Sequence, residues 1–206
     1  MTLSPEAAIE RIGQGGLIGF PTETAWGLGA DAGSEAAMAA LRAFKGRAGH
    51  QPVSVLVSGA DALGPAGATL GPAARALVAA FWPGPLTLVL PCDRGFAAGV
   101  ADARGAVGFR CSSHPVAAVL ASLAEDRGTG PITATSLNRS GAPECNDRVA
   151  ARACAGRRAA LVVGVDAGGA PPSTVVDLAT PDPRILREGA VPRADVETIL
   201  AREPVA

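Results

Sequence analysis

Lysine occurs once in this 206-residue chain, at position 45, against seventeen arginines. In the run Ala43-Phe44-Lys45-Gly46-Arg47, a compact, rotatable ammonium beside a planar guanidinium suits phosphate oxygens. The plainer account is a solvated lysine at a helix C-terminus, favoured there by the helix dipole. Further polar groups follow two apolar runs: Arg110 after Val107-Gly108-Phe109, and Ser136, Asn138 and Ser140 after Ile132-Thr133-Ala134. Cations offset charge while hydroxyl and amide groups fix oxygen positions, which is what a polyphosphate site needs. Another stretch, Pro21-Thr22-Glu23-Thr24-Ala25-Trp26-Gly27-Leu28-Gly29, sets two hydroxyls, an acid and an indole before glycines. It reads as a binding loop whose backbone can approach a ligand closely, or as a glycine-rich turn with Trp26 plugging the core.

Several chemistries are excluded by pattern. No G-x-x-x-x-G-K-[ST], G-x-G-x-x-G or G-x-S-x-G run occurs, so a P-loop, a dinucleotide fingerprint and a nucleophile elbow are all missing. Cys92, Cys111, Cys145 and Cys154 form no C-x-x-C pair, and only His50 and His114 could add imidazole ligands, so no protein-held metal site is expected. Buried cysteines are usually inert, and His114 before Pro115 reads as a helix-start residue.

The elements that must position these groups follow from punctuation and period. Ser4 with Pro5 and Glu6 caps a helix to about Gln14, and Ser34 caps another over residues 35–44, with Met38, Leu41 and Phe44 on one face. The second helix delivers Lys45 and Arg47 just past its end. Further helices are expected over 72–82, 115–125, 149–154 and 195–202, with Val116, Val119, Leu120 and Leu123 as the buried face of the one over 115–125. Strands are expected over 17–20, 52–57, 86–90, 107–110, 132–134, 161–165, 173–178 and 184–187. Residues 135–141 read as a polar loop, and 92–106 as a mobile excursion.

With 48% hydrophobic residues, the chain can bury the core of a single domain spanning 1–206. Twenty-six glycines and seventeen prolines between short apolar runs fit a mixed α/β fold with functional loops. A net charge of −1 and an aromatic content of 3% argue against a surface built mainly for nucleic acid. No apolar run of 18 residues and no signal-peptide pattern is present, so a cytoplasmic protein without membrane contact is expected.

Taken together, the motifs resemble the YrdC/Sua5/TsaC family. Residues 16–31 are similar to its opening motif, Lys45-Gly46-Arg47 with Ser136-Leu137-Asn138 to its paired K-x-R and S-x-N motifs, and Phe81-Trp82-Pro83-Gly84-Pro85-Leu86-Thr87 to its F-W-P-G-P-L-T segment. Residues 173–178 and 184–189 match as well, so the resemblance runs in family order over 17–191. It implies an open, twisted, mixed α/β sheet with flanking helices around a deep, positively lined cavity. It also implies L-threonylcarbamoyladenylate synthase activity: a nucleotidyl transfer joining L-threonine, bicarbonate and ATP, with Mg²⁺, into threonylcarbamoyl-AMP and pyrophosphate for tRNA threonylcarbamoyladenosine. The product would pass to a partner protein that modifies tRNA, with any direct tRNA contact weak.

On this resemblance Lys45 and Arg47 act on the reacting phosphates, and Gln51, Ser136, Asn138, Glu144 and Arg187 join them around ATP. Thr22, Thr24, Arg110, Ala134 and Ser173 fall to threonine. Departures from the family pattern are Ala48 for proline, Trp26 for tyrosine, Glu144 for a small hydroxyl residue, Thr135-Ser136-Leu137 for Pro-Ser-Ala, and Leu56 for a threonine-contacting histidine. The last implies a threonine hydroxyl in need of another partner. Two other readings remain open at this point: a module binding double-stranded RNA or tRNA, and a relative that handles carbamoyl-adenylate.

Overall fold

The computed structural model describes residues 1–46 and 52–202. In chain order the elements are β1 (Thr2–Leu3), α1 (Pro5–Gly13), β2 (Leu17–Pro21), β3 (Trp26–Gly29), α2 (Glu35–Lys45), β4 (Val55–Leu56), α3 (Pro72–Phe81), β5 (Leu86–Pro91), β6 (Ala106–Arg110), α4 (Pro115–Asp126), β7 (Ile132–Thr133), β8 (Thr135–Ser136), α5 (Arg148–Ala155), β9 (Ala159–Val162), β10 (Thr174–Asp177), β11 (Arg184–Arg187) and α6 (Arg193–Leu200).

Hydrogen bonding divides the strands into two mixed sheets, in the orders β1-β9-β2-β3-β8 and β11-β10-β5-β6-β4-β7. The single sheet expected from sequence is thus two, and one short run joins them. Thr135 and Ser136 pair with β3 in the first sheet, while Ile132 and Thr133 pair with β4 in the second. Ala134 lies between, its N–H donating to the Ser54 carbonyl at 2.7 Å. A bridge between Asp31 and Ile132 adds to this seam.

Helix ends follow their capping chemistry. The side chains of Ser4, Ser34 and Asp147 accept from Ala7, Ala37 and Ala150 N–H, and His114 Nδ1 accepts from Val116 N–H, as its reading as a helix-start residue requires. Gly46 ends α2 in the left-handed conformation, φ 64°, with its N–H bonded to Arg42 O. That turn leaves Lys45 as the last helical residue, aimed back under the sheet.

Helices α1 and α4 pack on one another and supply Ile9, Ile12, Val116, Leu120 and Ala124 to an apolar cluster that also holds Ile18, Phe20 and Leu56. A larger cluster collects Met38, Leu41 and Phe44 from α2 with Leu88, Phe109 and Leu28 from the strands. Within α4 the expected face is corrected at one position: Val119 is 45% exposed, and Ala117, Ala121 and Ala124 take the buried stripe. Two residues on from Ala117, Val119 falls about 200° round the helix, on the side opposite this stripe. Accordingly, Leu120→Ala is expected to cost about 2–5 kcal/mol of stability and Val119→Ser less than about 1 kcal/mol, measured by urea unfolding.

Two other expectations change. Residues 26–29 are a strand, not loop, and their glycines serve packing: a Cβ on Gly27 would meet Phe20 at 2.9 Å, and one on Gly29 would meet Ile132 at 2.8 Å. Residues 92–105 are no loose excursion, because Ala97 and Val100 are buried and Gly99 O and Ala98 O accept from Val53 N–H and Arg42 Nη1. No helix among the described residues is long and apolar enough to cross a membrane.

Candidate functional site

Alternation along the strands builds the site. On β6, residues 106, 108 and 110 face one side, as do Thr87 and Val89 on β5, with Ser173 and Val175 beside them. Across from this floor stand Thr22 and Thr24 from the connection between β2 and β3, Trp26 from β3, and Ala134, Thr135 and Ser136 from the seam. Between the two sheets lies a cavity of about 390 Å³, within the range of ligand pockets, roughly 300–1,000 Å³. Three guanidiniums, Arg104, Arg110 and Arg187, and two carboxylates, Asp102 and Glu144, line it among the described residues.

Thr22, Thr24, Arg110, Ala134, Ser136, Glu144, Ser173 and Arg187 all line this cavity, so residues spread over 166 positions of sequence converge. Lys45 and Asn138 stand directly behind its wall. Lys45 is 1% exposed, and its Nζ donates to Ser136 O and Asn138 Oδ1, both at 2.7 Å, with Ser136 Oγ at 3.4 Å. Asn138 Oδ1 also accepts from Ser136 Oγ at 2.7 Å, and its Nδ2 donates to Ala142 O. The lone lysine therefore holds Ser136 and Asn138 together from within, which corrects the alternative of a solvated side chain at a helix end. Arg47 and Gln51 lie outside the described residues.

Arg110, 9% exposed, donates through Nη2 to Glu23 Oε1 and Thr24 Oγ1, each at 2.9 Å. Glu23 Oε2 accepts a short hydrogen bond from Ser112 Oγ. Burial pushes the Glu23 carboxyl up, but the Arg110 charge and the hydrogen bonds from Ser112 and Arg110 outweigh it and hold its pKa below the ordinary value. Glu23 is thus a carboxylate at neutral pH and a poor proton acceptor. Arg110 Nε is the one buried side-chain polar atom among the described residues with no hydrogen-bond partner. A buried donor in that state costs about 1–3 kcal/mol, so Arg110 Nε suits an acceptor brought by a ligand.

Arg187 is held differently, its Nε and Nη2 donating to Ser173 O at 3.1 and 2.8 Å and Nη2 also to Ser173 Oγ at 3.2 Å. Burial and then the like charge of Arg110 lower its pKa, against the pull of Glu144. Ser173 Oγ in turn shares a hydrogen bond with Thr87 Oγ1 at 3.0 Å. The loop bearing Thr22 and Thr24 is clamped by a strap, with Gly168, Gly169 and Ala170 N–H donating to the carbonyls of Thr22, Thr24 and Glu23. A Cβ on Gly168 would sit 2.5 Å from Glu23 O, so only glycine permits that contact.

Trp26 lines the cavity with its ring fully buried, and its Nε1 donates to Asp166 Oδ1 at 2.6 Å. Leu56, expected to face the amino acid, instead packs in the cluster with Ile18, Phe20 and Ile132, and Ser54 lines the cavity from the same segment. The sequence reading also passed over Thr87 and Arg104, although Thr87 stands at the end of the quoted Phe81–Thr87 run. Burial pushes the Cys111 and Cys145 thiols up to about 11, which fits structural rather than nucleophilic cysteines.

Two mixed sheets meeting at a shared run, with a polar cavity between them, define an α/β architecture that matches P. abyssi Sua5 solved in complex with L-threonine. The TM-score is 0.86 at 31% identity, over 95% of this chain and 57% of that one. Residues 10–189 match the profile of the Sua5/YciO/YrdC family, described as telomere recombination, and the chain belongs to that family. A Mycobacterium leprae protein provisionally named threonylcarbamoyl-AMP synthase is 38% identical over 205 residues, 97% of this chain and 89% of its own length. A threonylcarbamoyl-AMP synthase of Pyrococcus abyssi is 33% identical over 190 residues, and this chain spans 55% of its length.

Proposed function

We propose that this chain is an L-threonylcarbamoyladenylate synthase. The observation that carries the proposal is the convergence of eight candidate residues on one cavity, in a member of a family whose relatives bear that name. The threonine carboxylate docks on Arg110, supplying the acceptor that its buried Nε lacks. Thr22, Thr24, Ala134 and Ser173 shape the rest of the amino-acid pocket. ATP lies along Ser136, Glu144 and Arg187, with Lys45 and Asn138 bracing Ser136 from behind and Arg47 and Gln51 completing the nucleotide contacts. Mg²⁺ enters as part of the substrate, on the phosphates of ATP.

The reaction needs little acid–base chemistry from the protein. The threonine amine and bicarbonate combine to a carbamate with loss of water. A carbamate oxygen then bonds to the α-phosphorus as the bond to the leaving pyrophosphate breaks. Charge builds on pyrophosphate, where Arg187, Lys45 and Arg47 offset it, and holding the reactants in line supplies much of the rate. The product is then an activated carbamoyl donor for tRNA modification, handed on in the cytoplasm to a partner protein.

The test is pyrophosphate release from Mg-ATP and bicarbonate with L-threonine, L-serine or no amino acid. Release is expected only with an amino acid and bicarbonate, with kcat/KM for threonine over serine favoured by about 10-fold or more, the discrimination one methyl group provides in an apolar contact. Release that ignores threonine, or none from folded protein, would overturn the synthase reading and favour carbamoyl transfer or a binding role.

A further inference from the structure

The cavity must keep two anions apart, a monovalent carboxylate and a polyvalent phosphate chain, although Arg110 and Arg187 are close enough for their charges to affect each other. Their surroundings differ in kind. Arg110 already carries a carboxylate, Glu23, at 2.9 Å, and the pair is largely buried, with side-chain exposures of 10% and 15%. Arg187 touches only the neutral oxygens of Ser173 and has no ion-pair partner among the described residues.

We infer that Glu23 is a specificity-determining residue that sorts anions within the cavity, making the Arg110 end accept a carboxylate and refuse a polyphosphate. The inference rests on the synthase reading and deepens it. A guanidinium paired with a carboxylate has no net charge to offer, so what remains at Arg110 is directional hydrogen bonding from Nε and the N–H groups not held by Glu23. One carboxylate can satisfy that geometry with a single unit of repulsion from Glu23. A triphosphate of three to four negative charges meets the same repulsion several times over, in a setting of low dielectric. Arg187 has no such contact, since Glu144 acts on it without forming an ion pair, and it keeps more of its charge for phosphate. Ser112 and Thr24 hold Glu23 and Arg110 in register, so the arrangement exists before either substrate arrives.

Glu23→Gln preserves the shape and can still accept from Arg110, but removes the charge. L-Threonine affinity is measured by calorimetry with and without inorganic tripolyphosphate, with thermal melts confirming the fold. In the wild type the affinity is expected to change by less than about 2-fold on adding tripolyphosphate, and in Glu23→Gln to weaken by about 10-fold or more as the polyanion competes for Arg110. Glu23→Asp, which restores the charge, should return towards independence; a merely structural role would give no such antagonism. Independence in a folded Glu23→Gln protein, or antagonism as strong in Glu23→Asp as in Glu23→Gln, overturns this inference alone. Failure of the wild type to bind threonine at all overturns the synthase reading and this inference with it.

Discussion

Lys45→Met is expected to lower kcat/KM for threonine-dependent pyrophosphate release by about 100-fold or more, the scale seen when a preorganised donor at a reacting oxyanion is lost. Methionine fills the space of the aliphatic stem but leaves Ser136 O and Asn138 Oδ1 without the Nζ that now sits 2.7 Å from each. Because Lys45 stands behind the wall, the loss combines a slackened Ser136 loop with a missing buried charge. Stability should fall too, by about 1–3 kcal/mol for acceptors deprived of their donor. Lys45→Arg is not expected to rescue, since a planar fork cannot take the place of a compact ammonium in a closed position. Calorimetric melts and steady-state kinetics on both variants decide the matter. A Lys45→Met enzyme with native turnover would remove the lysine from the chemistry.

The second large effect is expected at Arg110. Arg110→Met should raise KM for threonine by about 100-fold or more, since truncating one partner of a buried charged contact costs roughly 2–5 kcal/mol. Nucleotide affinity, measured by calorimetry with ADP, should change by less than about 3-fold, a small effect on the scale where tenfold is 1.4 kcal/mol. The variant should also be less stable by about 3 kcal/mol, because Glu23 is left buried without its cation. Adding Glu23→Gln should restore stability and leave KM high, which separates binding from folding. Equal losses in ADP and threonine affinity would mean that Arg110 does not belong to the amino-acid end.

Much of this was legible in the residues. Ser4, Ser34 and the glycine at 46 mark helix ends by local hydrogen-bonding chemistry, and α1 and α2 fall where those signals put them. The polar groups after apolar runs converge because alternate residues of a strand face one side, so Thr87, Arg110 and Ser173 share a floor. What local pattern could not carry was partnership at a distance. Residues 26–29 look like a turn because glycine dominates them, and only the rings and branches of Phe20 and Ile132 explain the glycines as close packing. Leu56 and Ser54 sit two positions apart, and nothing in their own segment says which side chain reaches the cavity. Glu23 reads as one polar residue among several until Arg110, 87 positions later, comes to lie against it.

The run from Ile132 to Ser136 carries a further consequence. Each sheet is completed at one edge by two of its residues, and the serine braced by Lys45 is the last of the five. Detaching β3 from β8 would free Ser136 from Gly27 directly, and detaching β4 from β7 would loosen the chain at Ile132 and Thr133 just before it. The cavity wall at Ser136 is therefore expected to loosen with either edge, and the amides of residues 132–136 to exchange together. On warming, the proposed nucleotide and amino-acid ends of the cavity are therefore expected to be lost together, which calorimetry with ADP and with threonine at rising temperature would show.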